Sequence, residues 1–110
     1  MAGEELTSRT TRTDRAVVVT LSGELAMPAT FWLEIELERL TDGEDISALV
    51  LDMADVPFMD SAALGLLLAT QSRLQGSGIR LIVANPSTGV RRILDLTGTT
   101  DVLDVDGPLP

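Results

Sequence analysis

The pattern of apolar and polar positions predicts alternating strands and helices along the chain. Two stretches meet around Thr13-Asp14-Arg15, and the second, the β-branched run from Ala16 to Leu21, is typical of a strand; together they predict an antiparallel hairpin. A helix is predicted from about Pro28 to Thr41, because proline is tolerated at the first helical position. The segment LEIELERL within it also alternates with period two, as a strand does, but the length and the proline start favour a helix.

The second half of the chain alternates apolar strands with helices. The run ALVLDM is continuous, which is typical of a strand buried on both faces. Helices are predicted over Ser61 to Gln75 and Thr88 to Leu96, and strands over Ile79 to Ala84 and Val102 to Val105. Strand–helix–strand units require right-handed crossovers, and these place parallel strands beside one another with helices packed against them. The predicted fold class is therefore α/β, with a mixed, mostly parallel sheet of about five strands and an N-terminal β-hairpin.

Length and composition indicate one domain over residues 1–110, with 1–5 and 106–110 as frayed tails. The chain has 110 residues, of which 45% are hydrophobic and 23% charged, enough for a real core. No apolar run approaches the length of a membrane span, and the N-terminus has no signal-peptide pattern, so a cytoplasmic location is expected. The net charge of −9 repels nucleic acid and anionic lipid, and neither is expected as a partner.

The residue inventory removes much of the catalytic repertoire. The chain has no histidine and no cysteine, and all eight basic residues are arginines. A serine hydrolase would need a base to take the serine proton, and a phosphoaspartate receiver would need a lysine beside the phosphoryl group. We therefore expect no catalytic residues and no cofactor. A carboxylate enzyme remains as an alternative, and it would need a concave pocket holding at least two acids.

Three aspartates near the end of the third predicted strand allow two interpretations. Asp52, Asp55 and Asp60 could form a carboxylate cluster for a metal, but hard-cation sites need more converging oxygens than this spacing guarantees. Anchoring of the loop before Pro57 by Asp52 and Asp55 is the favoured interpretation, and no metal is expected.

The stretch FMDSAALGLLL places Ser61 between an aspartate and a long apolar run. Serine is a favoured N-cap residue, whose hydroxyl accepts a hydrogen bond from an N–H of the first helical turn. We predict that Ser61 lies at or next to the N-cap of the second helix and caps it. A surface hydroxyl at that position can also be a site of modification.

Three segments together resemble the STAS domain: GEL after the second strand, LVLDMADVPFMDSAALGLLL, and NPSTGVRRILDLTG. The similarity spans roughly Val17 to Val105, and D-S-x-x-L-G is its most specific part. Within that family the chain looks most like the bacterial anti-sigma factor antagonists. In these proteins the unmodified form binds an anti-sigma factor that is also a serine kinase, which frees the sigma factor. The form phosphorylated on the serine after the aspartate does not bind.

The resemblance implies that Ser61 is the phosphoacceptor and Asp60 its aspartate neighbour. The implied partners are an ATP-using anti-sigma factor kinase and a serine phosphatase that resets the switch. The implied partner-binding residues are Asp60, Ser61, Ala62, Ala63, Glu24 and Met59. Three positions depart from the common G-E-L-D and D-S-S-G-L-G patterns, because Ala26 replaces an aspartate, Ala62 a serine and Ala63 a glycine.

The first predicted helix has two apolar faces. At 100° per residue the first face, suited to the core, contains Ala29, Leu33, Leu37 and Leu40. The second face contains Phe31, Trp32 and Ile35, which would form an exposed patch rimmed by glutamates, and such patches often mark contact surfaces. Alternatively, Trp32 folds down over the sheet edge or the N-terminal residues. A STAS module that acts as a scaffold through this patch, without phosphorylation, is the alternative function, and a weak homodimer is a further expectation.

Overall fold

The computed structural model describes residues 5–108, which form a five-stranded sheet and three α-helices. The elements in chain order are β1 (Thr7–Arg12), β2 (Ala16–Ser22), α1 (Ala29–Thr41), β3 (Ala48–Asp55), α2 (Ser61–Gln75), β4 (Arg80–Ala84), α3 (Thr88–Leu96), a 3₁₀ turn (Thr99–Asp101) and β5 (Asp104–Val105). The predicted helices and the N-terminal hairpin are confirmed, and α1 begins one residue after Pro28.

The sheet follows chain order, β1-β2-β3-β4-β5. Only the β1–β2 pair is antiparallel; the other three pairs are parallel. In register across the centre of the sheet, Val17 pairs with Leu49 and Leu49 with Leu81. The mixed, mostly parallel α/β fold predicted from the sequence is confirmed. Because each parallel strand is added on the same side of the previous one, the right-handed crossovers bring all three helices to one face of the sheet.

The main core lies between the sheet and these helices. Leucines of α1 and α2, among them Leu33, Leu37 and Leu67, pack with the strand residues that point toward the helices. The opposite face of the sheet carries a smaller apolar cluster of Ala16, Ala48, Val50 and Ile82. As predicted, β3 is buried on both faces, because alternate residues of this central strand serve the two clusters.

The last strand is shorter than predicted. Residues 99–103 form a turn in which the backbone N–H groups of Val102 and Leu103 both donate to the carbonyl of Thr99. Since that turn uses these donors, pairing with β4 is limited to Asp104 and Val105.

The C-terminal segment from residue 106 was predicted to be frayed, but hydrogen bonds hold its first residue in place. The backbone N–H of Asp106 donates to the carbonyl of Val83 at 2.8 Å, and its carboxylate accepts from Asn85 and from Arg91. Residues 1–4 and 109–110 of the predicted tails lie outside the described part of the chain. No helix among residues 5–108 has the length and apolarity to cross a membrane.

Candidate functional site

The start of α2 is capped by Asp60, not by Ser61. Asp60 has extended backbone dihedrals, and its Oδ1 accepts the N–H of Ala63 at 2.9 Å. Ser61 is the first helical residue and is exposed, and its hydroxyl forms no hydrogen bond with any residue between 5 and 108. The prediction that the Ser61 hydroxyl caps the helix is therefore wrong, while its position next to the N-cap is confirmed. A carboxylate caps as well as a hydroxyl and also suits the positive end of the helix dipole.

The second carboxylate oxygen of Asp60 holds a different loop. Its Oδ2 accepts the backbone N–H of Met27 at 3.1 Å. Two backbone hydrogen bonds also join the loop before α1 to the loop before α2. The N–H of Leu25 donates to the carbonyl of Phe58 at 3.0 Å, and the N–H of Asp60 donates to the carbonyl of Leu25 at 3.2 Å. The loop before α1 and the loop before α2 therefore form one unit beneath Ser61, although about 33 residues separate them.

The predicted partner-binding residues fall into an accessible group and a buried group. Ser61 is exposed, and Glu24, Asp60 and Ala62 are half-buried, so a partner could contact them. Met59 and Ala63 are 1% and 0% exposed and pack in the main core, so their side chains offer no surface to a partner.

Acidic residues occupy the edge of the sheet next to this site. A shallow depression there is lined by Ser22, Glu24, Ala54, Asp55, Pro57 and Ser87. The carboxylate of Asp52 accepts the N–H of Ala54 at 3.2 Å, and both residues lie within β3, so this bond supports the end of the strand and does not by itself anchor the loop before Pro57. Among residues 5–108, no three His, Cys, Asp or Glu side chains are arranged to hold a metal ion. Asp55 is exposed and Glu24 half-buried, so both carboxylates of this depression are accessible from solvent.

Gly23 of the G-E-L motif and Gly89 of the NPSTGVRRILDLTG segment allow backbone segments to pack closely around this edge. A Cβ at Gly23, where φ is +108°, would lie 2.5 Å from the carbonyl oxygen of Glu5. A Cβ at Gly89 would lie 2.1 Å from the carbonyl oxygen of Pro57. Gly89 therefore lets the loop before α2 rest on the start of α3, a role that the sequence analysis did not identify. Its signal in the sequence is a glycine inside a helix, which is unfavourable unless something approaches it closely.

The predicted apolar patch on α1 is exposed. The exposed fractions of Phe31, Trp32 and Ile35 are 59%, 39% and 67%, whereas Leu33 and Leu37 are fully buried. Trp32 therefore remains accessible instead of being covered. Met27 and Phe58, which the sequence analysis did not single out, are also exposed, and Phe31 lines an opening shared with Ala62 of α2. The patch and the Ser61 site are therefore neighbours.

One ion pair on α1 shifts the pKa values of its two members. A hydrogen bond from Arg39 lowers the pKa of Glu36, and the same bond raises the pKa of Arg39. The two residues are three apart on the solvent-facing surface of the helix.

Comparisons with known proteins identify the family. The model of the STAS domain matches residues 7–108, so this chain belongs to the STAS domain family. An anti-sigma F factor antagonist of Paenibacillus polymyxa is 25% identical over 89 residues, covering 81% of this chain and 76% of the relative. The crystal structure of an anti-sigma factor antagonist from Mycobacterium paratuberculosis has a TM-score of 0.77 and 29% identity, covering 96% of this chain and 88% of that one.

The antagonist SpoIIAA shares the fold in two states. Its unphosphorylated form has a TM-score of 0.78 at 24% identity, covering 90% of this chain and 87% of that one. Its phosphorylated form has a TM-score of 0.71 at 23% identity, covering 90% of both.

Proposed function

We propose that this protein is an anti-sigma factor antagonist, a non-catalytic binding protein that acts in the cytoplasm. It binds an anti-sigma factor that is also a serine kinase, which frees the sigma factor, and phosphorylation of Ser61 ends the interaction. A serine phosphatase restores the unmodified form. The observation that carries the proposal is the exposed Ser61 hydroxyl at the start of α2, where Asp60 supplies the cap and leaves that hydroxyl without a structural role.

The comparisons support this function. The relative from Paenibacillus polymyxa and the structure from Mycobacterium paratuberculosis both carry the name of anti-sigma factor antagonist, and each covers more than three quarters of this chain. SpoIIAA keeps this fold in its phosphorylated form, so the fold is compatible with a phosphate.

Phosphoryl transfer to Ser61 requires a base from the kinase. The serine Oγ attacks the γ-phosphorus of ATP, a new O–P bond forms, the bond from that phosphorus to the oxygen of the ADP leaving group breaks, and the hydroxyl proton must go to an acceptor. This chain has no histidine, lysine or cysteine. Both carboxylate oxygens of the neighbouring Asp60 already accept backbone N–H groups, so this side chain is engaged in holding the local structure. The chain therefore supplies the nucleophile, and the partner supplies ATP and the base.

A phosphate on Ser61 acts mainly at the interface. It adds about −1.5 to −2 charges near the positive end of α2, an interaction worth about 0.3–1 kcal/mol, which favours retention of the fold. A partner surface fitted to a neutral hydroxyl must instead accommodate and desolvate a dianion beside Asp60. A loss of about 3 kcal/mol in binding free energy is already more than a hundredfold in affinity.

The test is incubation with ATP and purified anti-sigma factor kinases, followed by mass spectrometry and binding measurements. We expect one phosphate on Ser61, none on a Ser61→Ala variant that still binds, and binding of Ser61→Asp at least about a hundredfold weaker than wild type. Ser72→Asp, at another exposed serine of α2, is the control and should bind like wild type. Equal binding of Ser61→Asp and wild type would contradict the switch.

A second candidate function is supported by the exposed α1 patch. Phe31 and Ile35 are more than half exposed and lie with the exposed Trp32 on one helix, and an exposed apolar patch of this kind suits a STAS module that acts as a scaffold without phosphorylation. If no kinase modifies Ser61 while Phe31→Ala abolishes a protein contact, this second function replaces the first.

A further inference from the structure

An open groove runs between α1 and α2 and begins beside Ser61. Its first part is lined chiefly by Met27, Phe31, Ala62, Gly65, Leu66 and Ala69. Its second part continues past Glu34 and Ala69 to Glu38, Thr70 and Arg73. We call this feature the α1–α2 groove. The first part is mainly apolar, and it connects the Ser61 site with the exposed patch on α1.

Gly65 leaves space in this groove that the fold itself does not require. Gly65 lies in the interior of α2 and is exposed, and a Cβ built on it would meet nothing within 4 Å. Glycine in a helix interior costs about 0.5–1 kcal/mol relative to alanine, so this position lowers stability without any packing benefit inside the chain. A surface that approaches α2 from outside would use the space.

The groove is bordered by negative charge on its α1 side. Glu34 and Glu38 line it, and neither forms an ion pair with any residue between 5 and 108. The one basic residue in the lining, Arg73, donates a hydrogen bond to the hydroxyl of Thr41 at 3.2 Å. The chain as a whole carries a net charge of −9.

We propose that the α1–α2 groove receives an amphipathic helix of the partner protein, with an apolar face bordered by arginine or lysine. The identity of that partner as an anti-sigma factor rests on the proposed function. The apolar side chains would pack over Gly65 and against Phe31, and the basic side chains would pair with Glu34 and Glu38, as in other helix-in-groove complexes.

Two other occupants fit less well. The apolar part of the groove has a volume of about 220 Å³, below the roughly 300–1,000 Å³ of small-molecule pockets, so it suits a few side chains. A second copy of this chain would bring the same acidic border against its own, and two molecules of charge −9 repel each other.

Two peptides of about 18 residues, or five turns, serve as probes of the full chain. Both carry the same leucine face, which is bordered by arginines in one peptide and by glutamates in the other, and neither contains tryptophan. Trp32, the single tryptophan of the chain, is next to Phe31 on α1 and reports binding by its fluorescence. We expect the arginine peptide to bind saturably with a Kd below about 1 mM and the glutamate peptide not to bind.

Matched variants locate the binding. Phe31→Ala, Gly65→Leu and Glu34→Arg should each weaken binding of the arginine peptide at least about tenfold in Kd. The matched controls are Leu96→Ala on α3, Ser72→Leu farther along α2 and Asp14→Arg on the hairpin, all at exposed positions outside the groove lining. They should change the Kd less than about twofold. All six positions are at the surface, and circular dichroism checks that each variant is folded.

Several results would overturn the proposal: no saturable binding of the arginine peptide, equal binding of both peptides, or groove variants that bind like wild type. Sedimentation that shows a wild-type dimer dissociated by Phe31→Ala would identify a second copy as the occupant instead. The peptide experiment contains neither kinase nor ATP, so it is independent of phosphorylation. A kinase that phosphorylates Ser61 and binds the groove variants like wild type would overturn the groove alone. Saturable peptide binding, together with no phosphate on Ser61 after the separate incubation with kinases and ATP, would overturn the switch alone.

Discussion

Asp60 holds together the two loops on which Ser61 is mounted. One carboxylate oxygen caps α2 at Ala63, and the other accepts the N–H of Met27 just before α1. Ser61 itself takes no part in these bonds. The D-S pair therefore separates two tasks, since the aspartate maintains the local structure while the serine stays available to another protein.

Removing the Asp60 carboxylate should destabilise the fold, whereas removing the Ser61 hydroxyl should not. Asp60→Ala loses the cap and leaves the Met27 N–H without its acceptor, so we expect a loss of about 1–2 kcal/mol in the free energy of unfolding. Asp60→Asn keeps one acceptor oxygen, so its free energy of unfolding should lie between those of wild type and Asp60→Ala. Ser61→Ala should change stability by less than about 0.5 kcal/mol.

Urea denaturation of the three variants measures these differences. A Ser61→Ala variant as unstable as Asp60→Ala would mean that the serine hydroxyl caps the helix after all.

At the scale of elements, α1 shows how one helix serves both the core and the surface. The period of 3.6 residues places Leu33, Leu37 and Leu40 against the sheet, and the structure confirms that they are buried. Phe31 and Ile35 point away from the sheet on the same helix. Periodicity predicted both faces because it depends only on the helix itself. The short length of β5 could not be predicted in this way, because it depends on a preceding turn that uses the backbone N–H groups of Val102 and Leu103.

Truncation at two positions of α1 should have very different costs. Leu37→Ala removes a fully buried side chain and should cost about 2–5 kcal/mol in the free energy of unfolding. Ile35→Ala removes a side chain that is 67% exposed and should cost less than about 1 kcal/mol. Thermal and urea unfolding of the pair check this, and equal losses would show that Ile35 is buried in solution, for example by self-association.

At the scale of the whole molecule, the edge beside Ser61 is assembled from three distant parts of the chain. Leu25 follows β2, Pro57 precedes α2 and Gly89 lies in α3, and parallel strand order brings these segments to one edge of the sheet. The close contact of Gly89 with Pro57 belongs to this assembly and to no single element.

Two Gly→Ala substitutions should therefore act in opposite directions. Gly89→Ala would place a methyl 2.1 Å from the Pro57 carbonyl oxygen, which must move, and we expect a loss of about 1–3 kcal/mol in stability. The methyl group added by Gly65→Ala has no neighbouring atom within 4 Å, so this substitution should stabilise α2 by about 0.5–1 kcal/mol. Melting temperatures of the two variants, compared with wild type, test the pair. Stabilisation by Gly89→Ala would contradict the tight contact with the Pro57 loop.

The sequence by itself determined the order of the elements, the core face of α1, the position of Ser61 at the start of α2 and the absence of histidine, lysine and cysteine chemistry. These properties follow from local periodicity and from composition. Only the tertiary structure decided that Asp60 is the cap, that Met59 and Ala63 are buried, and that the α1 patch meets α2 in a groove beside Ser61. The last two depend on contacts between residues far apart in the chain, and packing, not local pattern, selects those contacts. The cap bond from Ala63 to Asp60 is local, and the long-range contact of this residue is the bond from Met27 to its second carboxylate oxygen.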